Sequence, residues 1–222
     1  MPPGRRRAPP VNRRGSLTNG DERRVDALPT VQAAALEQRA DRLQREAAAV
    51  AADLDLVRML SAFGRVIPTG SSTYGLMVAR DIDIYLVREG WTPALCWQAL
   101  AGAFPQDRLQ SIRLSKWLGR HRGAALPEGF SAVLRYYTDV GDQWRIDVWF
   151  FTPEHAESNL GWHHELLLRG LSPDVRLAVL WIKDVRHGLP SYRSAEVYEA
   201  VLRQGVRTPV DFDRHMVERG NP

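Results

Sequence analysis

Residues 66–87 read VIPTGSSTYGLMVARDIDIYLV: an apolar approach, a turn of small residues, and a segment in which Asp81 and Asp83 alternate with Ile82, Ile84 and Leu86. In an extended strand that alternation sends both carboxylates to one face and the aliphatic side chains to the other. Carboxylates two residues apart on a strand lie roughly 7 Å from each other, close enough to repel and to share a cation. Mg²⁺ suits such a pair, because it takes oxygen ligands in near-octahedral geometry and is held by one or two carboxylates together with substrate phosphates. Upstream, Gly70-Ser71 ends the apolar approach, and Ser72-Thr73-Tyr74-Gly75-Leu76 is expected to start a helix with a hydroxyl-bearing cap. A glycine lets phosphate approach the backbone, and free N–H groups at a helix start favour an anion. A phosphate site and a metal site thus stand nine residues apart. The competing reading is a hairpin whose aspartates are solvated on an open sheet face.

A later segment, Trp144–Phe151, reads WRIDVWFF and again sets a carboxylate, Asp147, in alternation with Ile146 and Val148. Gly70-Ser71, a short spacer, Asp81-Ile82-Asp83-Ile84 and the later Asp147 together resemble the nucleotidyltransferase superfamily that includes the beta-type DNA polymerases. The chain departs from that pattern at Thr69, where the family usually has an apolar residue. The resemblance covers about residues 60 to 151. It implies two Mg²⁺ ions bridged by Asp81 and Asp83, with Asp147 as third ligand and proton acceptor, and Gly70 and Ser71 on the β- and γ-phosphates of an NTP. It also implies transfer of a nucleoside monophosphate, ATP being the expected donor, to an acceptor hydroxyl. Arg145 shares a face with Asp147 and either sits beside the phosphates or only neutralises the aspartates.

The chain has 222 residues, 44% of them hydrophobic, and seven tryptophans, enough for one good core or two small ones. A single cysteine, Cys96, excludes an internal disulfide and fits a reducing compartment. No apolar run approaches the roughly 18 residues needed to span a bilayer, and the N-terminus has no apolar leader segment. A cytoplasmic protein with no membrane partner is expected. Seven arginines against three acids fall within residues 1 to 30, which leaves 23 of the 30 basic and 23 of the 26 acidic residues to balance in the rest. Residues 1–29 read as a disordered basic tail, either a plain extension or a nonspecific contact to nucleic acid.

From Thr30 to Met59 the pairs Ala33/Leu36, Ala40/Leu43, Ala47/Val50 and Leu54/Val57 recur at heptad spacing. They read as one long helix, packed on its own domain or paired in a homodimer. Pro93 to Phe104 reads as an amphipathic helix, with Trp91 and Trp97 either core or base-pocket residues. Residues 107–122 gather Arg108, Arg113, Lys116, Arg120 and Arg122, which either flank the cleft or form a solvated face. Ser131–Thr138 and Gln143–Phe151 read as a hairpin turning at Val140-Gly141-Asp142. Beyond Pro153 the sheet signal ends, and helices are expected over Pro173–Val185 and Ser194–Leu202. His187 to Tyr192 resembles the helical segment that follows the catalytic sheet in RNA-tailing and oligoadenylate-forming members, which makes Lys183, Ser191 and Tyr192 expected nucleotide contacts. Trp162-His163-His164-Glu165 lacks the spacing of recognised zinc sites.

The expected architecture is α+β: a small mixed, mainly antiparallel nucleotidyltransferase sheet flanked by helices, with a long N-terminal helix in a catalytic domain over 30–152 and a helical portion over 153–222. The acceptor is left open among a small molecule, a protein side chain and an RNA end. One rival keeps the fold without the chemistry, as a partner-binding or regulatory (antitoxin-like) module that uses the long helix. Another is a nucleic-acid-binding protein working through the arginine tail.

Overall fold

Five alternating segments build one sheet: β1 (Arg65–Thr69), β2 (Asp81–Val87), β3 (Leu109–Trp117), β4 (Gly129–Tyr137) and β5 (Gln143–Phe151), in the spatial order β1-β2-β5-β4-β3. The computed structural model describes residues 28–103, 106–118, 127–189 and 192–220. β2 and β5 run parallel, and the other neighbours are antiparallel, so the sheet is mixed as the sequence implies. Ile82, Ile84, Leu86, Ala132, Leu134, Ile146, Val148 and Phe150 are buried on one face. They pack in one core with Leu43, Ala47 and Val50 of α1 (Thr30–Asp53), Leu56 and Leu60 of α2 (Leu56–Ser61), and Cys96, Ala99 and Leu100 of α4 (Pro93–Ala101).

A second core forms where Leu36 and Ala40 of α1 meet α7 (Pro173–Arg186), α8 (Ser194–Arg203) and α9 (Pro209–Glu218). The heptad seam is therefore consumed inside the chain, its first half on the C-terminal helices and its second half under the sheet. α1 contributes to both cores. The expected single helix to Met59 is interrupted: Asp55 takes a left-handed conformation with φ 48°, and α2 begins after it. That conformation is tolerated by aspartate better than by most side chains. The kink keeps Leu54 buried and turns Val57 out to 52% exposure. The end of α1 is fastened to the sheet by Tyr136, whose hydroxyl donates to Asp53 Oδ2 at 2.6 Å.

Two open alternatives now resolve. Residues 109–117 form the edge strand β3, whose alternation puts Arg113 on the face of Asp147 and Lys116 on the opposite one. Arg108 is spent on Asp53 and Asp139, while Arg120 and Arg122 lie outside the described residues. Trp91 belongs to the core side, edge-on to Phe150 at 4.9 Å and bonded through Nε1 to Phe151 O, and Trp97 is 47% exposed on α4, so neither lines a base pocket at the aspartates. The helices α5 (Pro153–Leu160), α6 (His163–Leu168) and α9 add to those expected. Among the described residues no helix is long and apolar enough to cross a membrane.

The kink yields a paired prediction. Leu43→Ala, in the sheet core, should lower the unfolding free energy by about 2–5 kcal/mol, whereas Val57→Ala, though part of the same sequence repeat, should change it by less than about 0.5 kcal/mol. Urea denaturation of both variants measures the difference, and similar losses would mean that the helix continues through Asp55.

Candidate metal and nucleotide site

The parallel register of β2 and β5 sets Asp83 opposite Asp147 and Asp81 opposite Arg145. One carboxylate oxygen from each of Asp81, Asp83 and Asp147 then falls within 4.8 Å of the others, the one such cluster able to hold a metal ion among the described residues. The aliphatic neighbours on the reverse side fix this face, since each is part of the buried core.

Gly70 is the first residue of α3 (Gly70–Tyr74), two positions earlier than the expected helix start, and has φ 72°. A Cβ there would stand 2.0 Å from Asp83 Oδ2 and 2.7 Å from its Cγ, so both conformation and space demand glycine. Thr69, the departure from the family pattern, is buried, with 6% exposure. Its Oγ1 lies 2.8 Å from the Tyr74 hydroxyl, which in turn lies 2.6 Å from His164 Nδ1 on α6. The polar side chain is thus the anchor that ties the turn to the C-terminal helices.

Three carboxylates in a partly enclosed site repel one another. Burial, then the neighbouring charges of Asp81 and Asp147, pushes Asp83 well above the usual carboxylate range. Burial and the charge of Asp147 push Asp81 up to about 6. Although the Asp81 side chain is 38% exposed, its Oδ1 is enclosed and lacks a hydrogen-bond donor. Two cations offset the charge. Arg145 grips Asp147 with Nε at 2.9 and 3.0 Å and Nη2 at 2.7 Å, and its Nε lies 3.8 Å from Asp81 Oδ1. Lys183 is 2% exposed, donates from Nζ to Leu76 O at 2.7 Å, and is pulled down to about 8 by burial, against the opposing pull of Asp83 and Asp81.

Gly70, Ser71, Asp81 and Asp83 line a cavity of about 240 Å³, closed on its far side by Asn159, His163, Ser194 and Tyr198. Asp147 and Arg145 line an adjoining groove, and Trp149 borders both. Of the residues expected from the C-terminal segment, Lys183 reaches the aspartates by charge from beneath the cavity rather than from its wall. Tyr192 packs into the second core and does not line the cavity. Ser191 lies outside the described residues. The wall residues that sequence reasoning missed have weak signals: Tyr198 reads as an ordinary apolar helix position, and His163, weighed only as a zinc ligand, instead lies 5.4 Å from the Tyr198 ring.

These carboxylates make metal binding legible in solution. The folded protein binds a proton at Asp81 more tightly than the unfolded chain does, with a pKa of about 6 against the ordinary aspartate value of 3.8. Its contribution to metal-free stability is therefore present at low pH and lost as pH rises through that window. Melting temperature in EDTA should fall across it, less so in Asp81→Asn, and Mg²⁺ should raise it more at pH 8 than at pH 5. Gly70→Ala, which crowds Asp83, should remove the Mg²⁺-dependent shift. A shift that survives in Asp81→Asn/Asp83→Asn would place the cation elsewhere.

No family model and no curated relative matches this chain. Among solved structures it is similar to a cytoplasmic RNA terminal U-transferase, at 18% identity and a TM-score of 0.42, over 68% of this chain and 46% of that one. It is also similar to E. coli MS115-1 CdnC solved with ATP, at 16% identity and a TM-score of 0.33, over 77% of this chain and 58% of that one. The chain spans about half the length of these structures.

Proposed function

We infer that the chain is a metal-dependent nucleotidyltransferase that moves a nucleoside monophosphate from an NTP, ATP by preference, to an acceptor hydroxyl. The observation that carries this reading is the convergence of Asp81, Asp83 and Asp147 within 4.8 Å, set against a glycine that nothing larger can replace.

The residues fit Mg²⁺: the donors are all oxygens, an enclosed Asp81 oxygen has no hydrogen-bond donor, and three carboxylates face two cations. Asp81, Asp83 and Asp147 would hold two such ions, and bound there they supply positive charge to the attacking and leaving oxygens of an in-line displacement. The chain's own groups do the rest. The Gly70-Ser71 backbone admits the β- and γ-phosphates close to Asp83. Tyr198 and His163 wall the remainder of the cavity. Asp147 takes the proton from the acceptor hydroxyl as the oxygen bonds to the α-phosphorus, the bond to the bridging oxygen breaks, and pyrophosphate leaves. Arg145, which pairs with Asp147 and Asp81, would turn to the phosphates once those carboxylates have another partner. Lys183 lies buried beneath the site, its ammonium charge favoured by Asp83 and Asp81 and opposed by burial.

The test is incubation of the chain with Mg²⁺ and each α-labelled NTP in turn, with acceptors including an oligoribonucleotide, mononucleotides and a metabolite extract. Label should move to an acceptor with release of pyrophosphate. Asp81→Asn or Asp83→Asn should lower the rate by about 10²-fold or more. Equal transfer by Asp81→Asn and the parent, or no transfer with any NTP, would overturn the reading and favour the partner-binding module.

A further inference from the structure

Asp147 faces two neighbourhoods. On one side lies the cavity shared with β2, and on the other a groove of about 510 Å³ opens over β5, β4 and β3. The strand registers lay its floor out in rows. Arg145, Arg135 and Ser111 stand across one row, then Asp147, Val133 and Arg113, then Trp149, Ser131 and Ser115. Trp117 follows one step further along β3, its Nε1 donating to Ser131 Oγ at 2.7 Å. Trp149 stacks on Phe151 with 17° between the ring planes. Both indoles are therefore held in place, guanidinium groups occupy the opposite end, and Val133 forms a low floor between them beside Asp147.

The charges of this groove are unbalanced. Arg135 sits directly opposite Arg145, a like-charge cross-strand pair that costs stability unless an anion lies between the two. Arg145 is spent on Asp147 and Asp81. Among the described residues neither Arg113 nor Arg135 closes an ion pair within 4 Å, although the charge of Arg135 is felt at Asp81. Two guanidiniums free of close ion pairs, facing two fixed indoles across a shallow apolar floor, are complementary to a ligand with phosphate at one end and a flat ring at the other. A neutral small molecule or a hydroxylated protein side chain offers neither arginine an anion.

Resting on the transferase reading above, we propose that the acceptor is a nucleotide seated in this groove. Its phosphate lies on Arg113 and Arg135, its base against Trp117 or Trp149, and its attacking hydroxyl at Asp147. The same chemistry is offered by a free nucleotide and by the end of a single-stranded oligonucleotide.

The test is binding to the full chain in EDTA, followed by quenching of tryptophan fluorescence with adenosine, adenosine monophosphate and a 5′-phosphorylated adenylate trinucleotide. The parent should bind at least one phosphate-bearing ligand well above adenosine. Arg113→Ala/Arg135→Ala should weaken that binding by about 10–100-fold while melting no lower than the parent, because the variant removes the like-charge pair with Arg145. If the double variant melts lower than the parent, Arg113→Gln and Arg135→Gln are read singly. Tighter binding of the mononucleotide or of the trinucleotide identifies the source, and either supports the proposal. Adenosine binding as tightly as the monophosphate, or arginine variants binding as the parent does, overturns it. Loss of the arginine-dependent binding leaves any measured transfer standing, whereas arginine-dependent binding without transfer by any NTP would fault the transferase reading alone.

Discussion

The structure depends on the parallel, in-register pairing of β2 with β5, which brings Asp83 and Asp147 side by side with Asp81 next along the strand. Such a concentration of negative charge opposes folding, and the surrounding features act against that cost. Lys183 lies buried beneath the carboxylates, Arg145 bridges Asp147 and Asp81 at the surface, and burial raises the proton affinity of Asp81 and Asp83. Gly70 leaves space on the third side.

The helices matter to the site through the cores they share. α1 lies under the sheet with one half and against α7, α8 and α9 with the other. The strand face that carries the aspartates and the helical wall that carries Tyr198 and His163 are therefore set relative to one another by one continuous helix. The Thr69, Tyr74 and His164 chain of polar contacts adds a second link, directly at the glycine turn. Trp149, at the boundary of cavity and groove, separates the two places where ligands would meet.

Much of this was legible from the sequence, because period-two alternation decides which face a strand residue takes. The aspartates, their aliphatic partners and the hairpin before Asp147 all follow from that rule. The seam of α1 was legible for the same reason at a different period. What escaped depends on tertiary context. A left-handed Asp55 leaves no local mark in a helical pattern, so the break after α1 could not be read. The alternation of β3 was hidden by its many cations, and β3 is an edge strand whose exposed face does not need apolar residues. Tyr198 and His163 reach the site only because α6 and α8 fold back onto the sheet, and no spacing within 153–220 announces that return.

The pairing of β2 with β5 also protects its own accuracy. A strand displaced by one residue exchanges its two faces, so a slipped β2 would drive Asp81 and Asp83 into the hydrocarbon beneath the sheet and lift Ile82 and Ile84 into the cleft. Burying unpaired carboxylates in such a place is far costlier than misplacing a methylene. The residues that suit the site for a cation therefore also act as a proofreading element for the fold: misregistered sheets are excluded twice, once by exposed isoleucines and once by stranded charge.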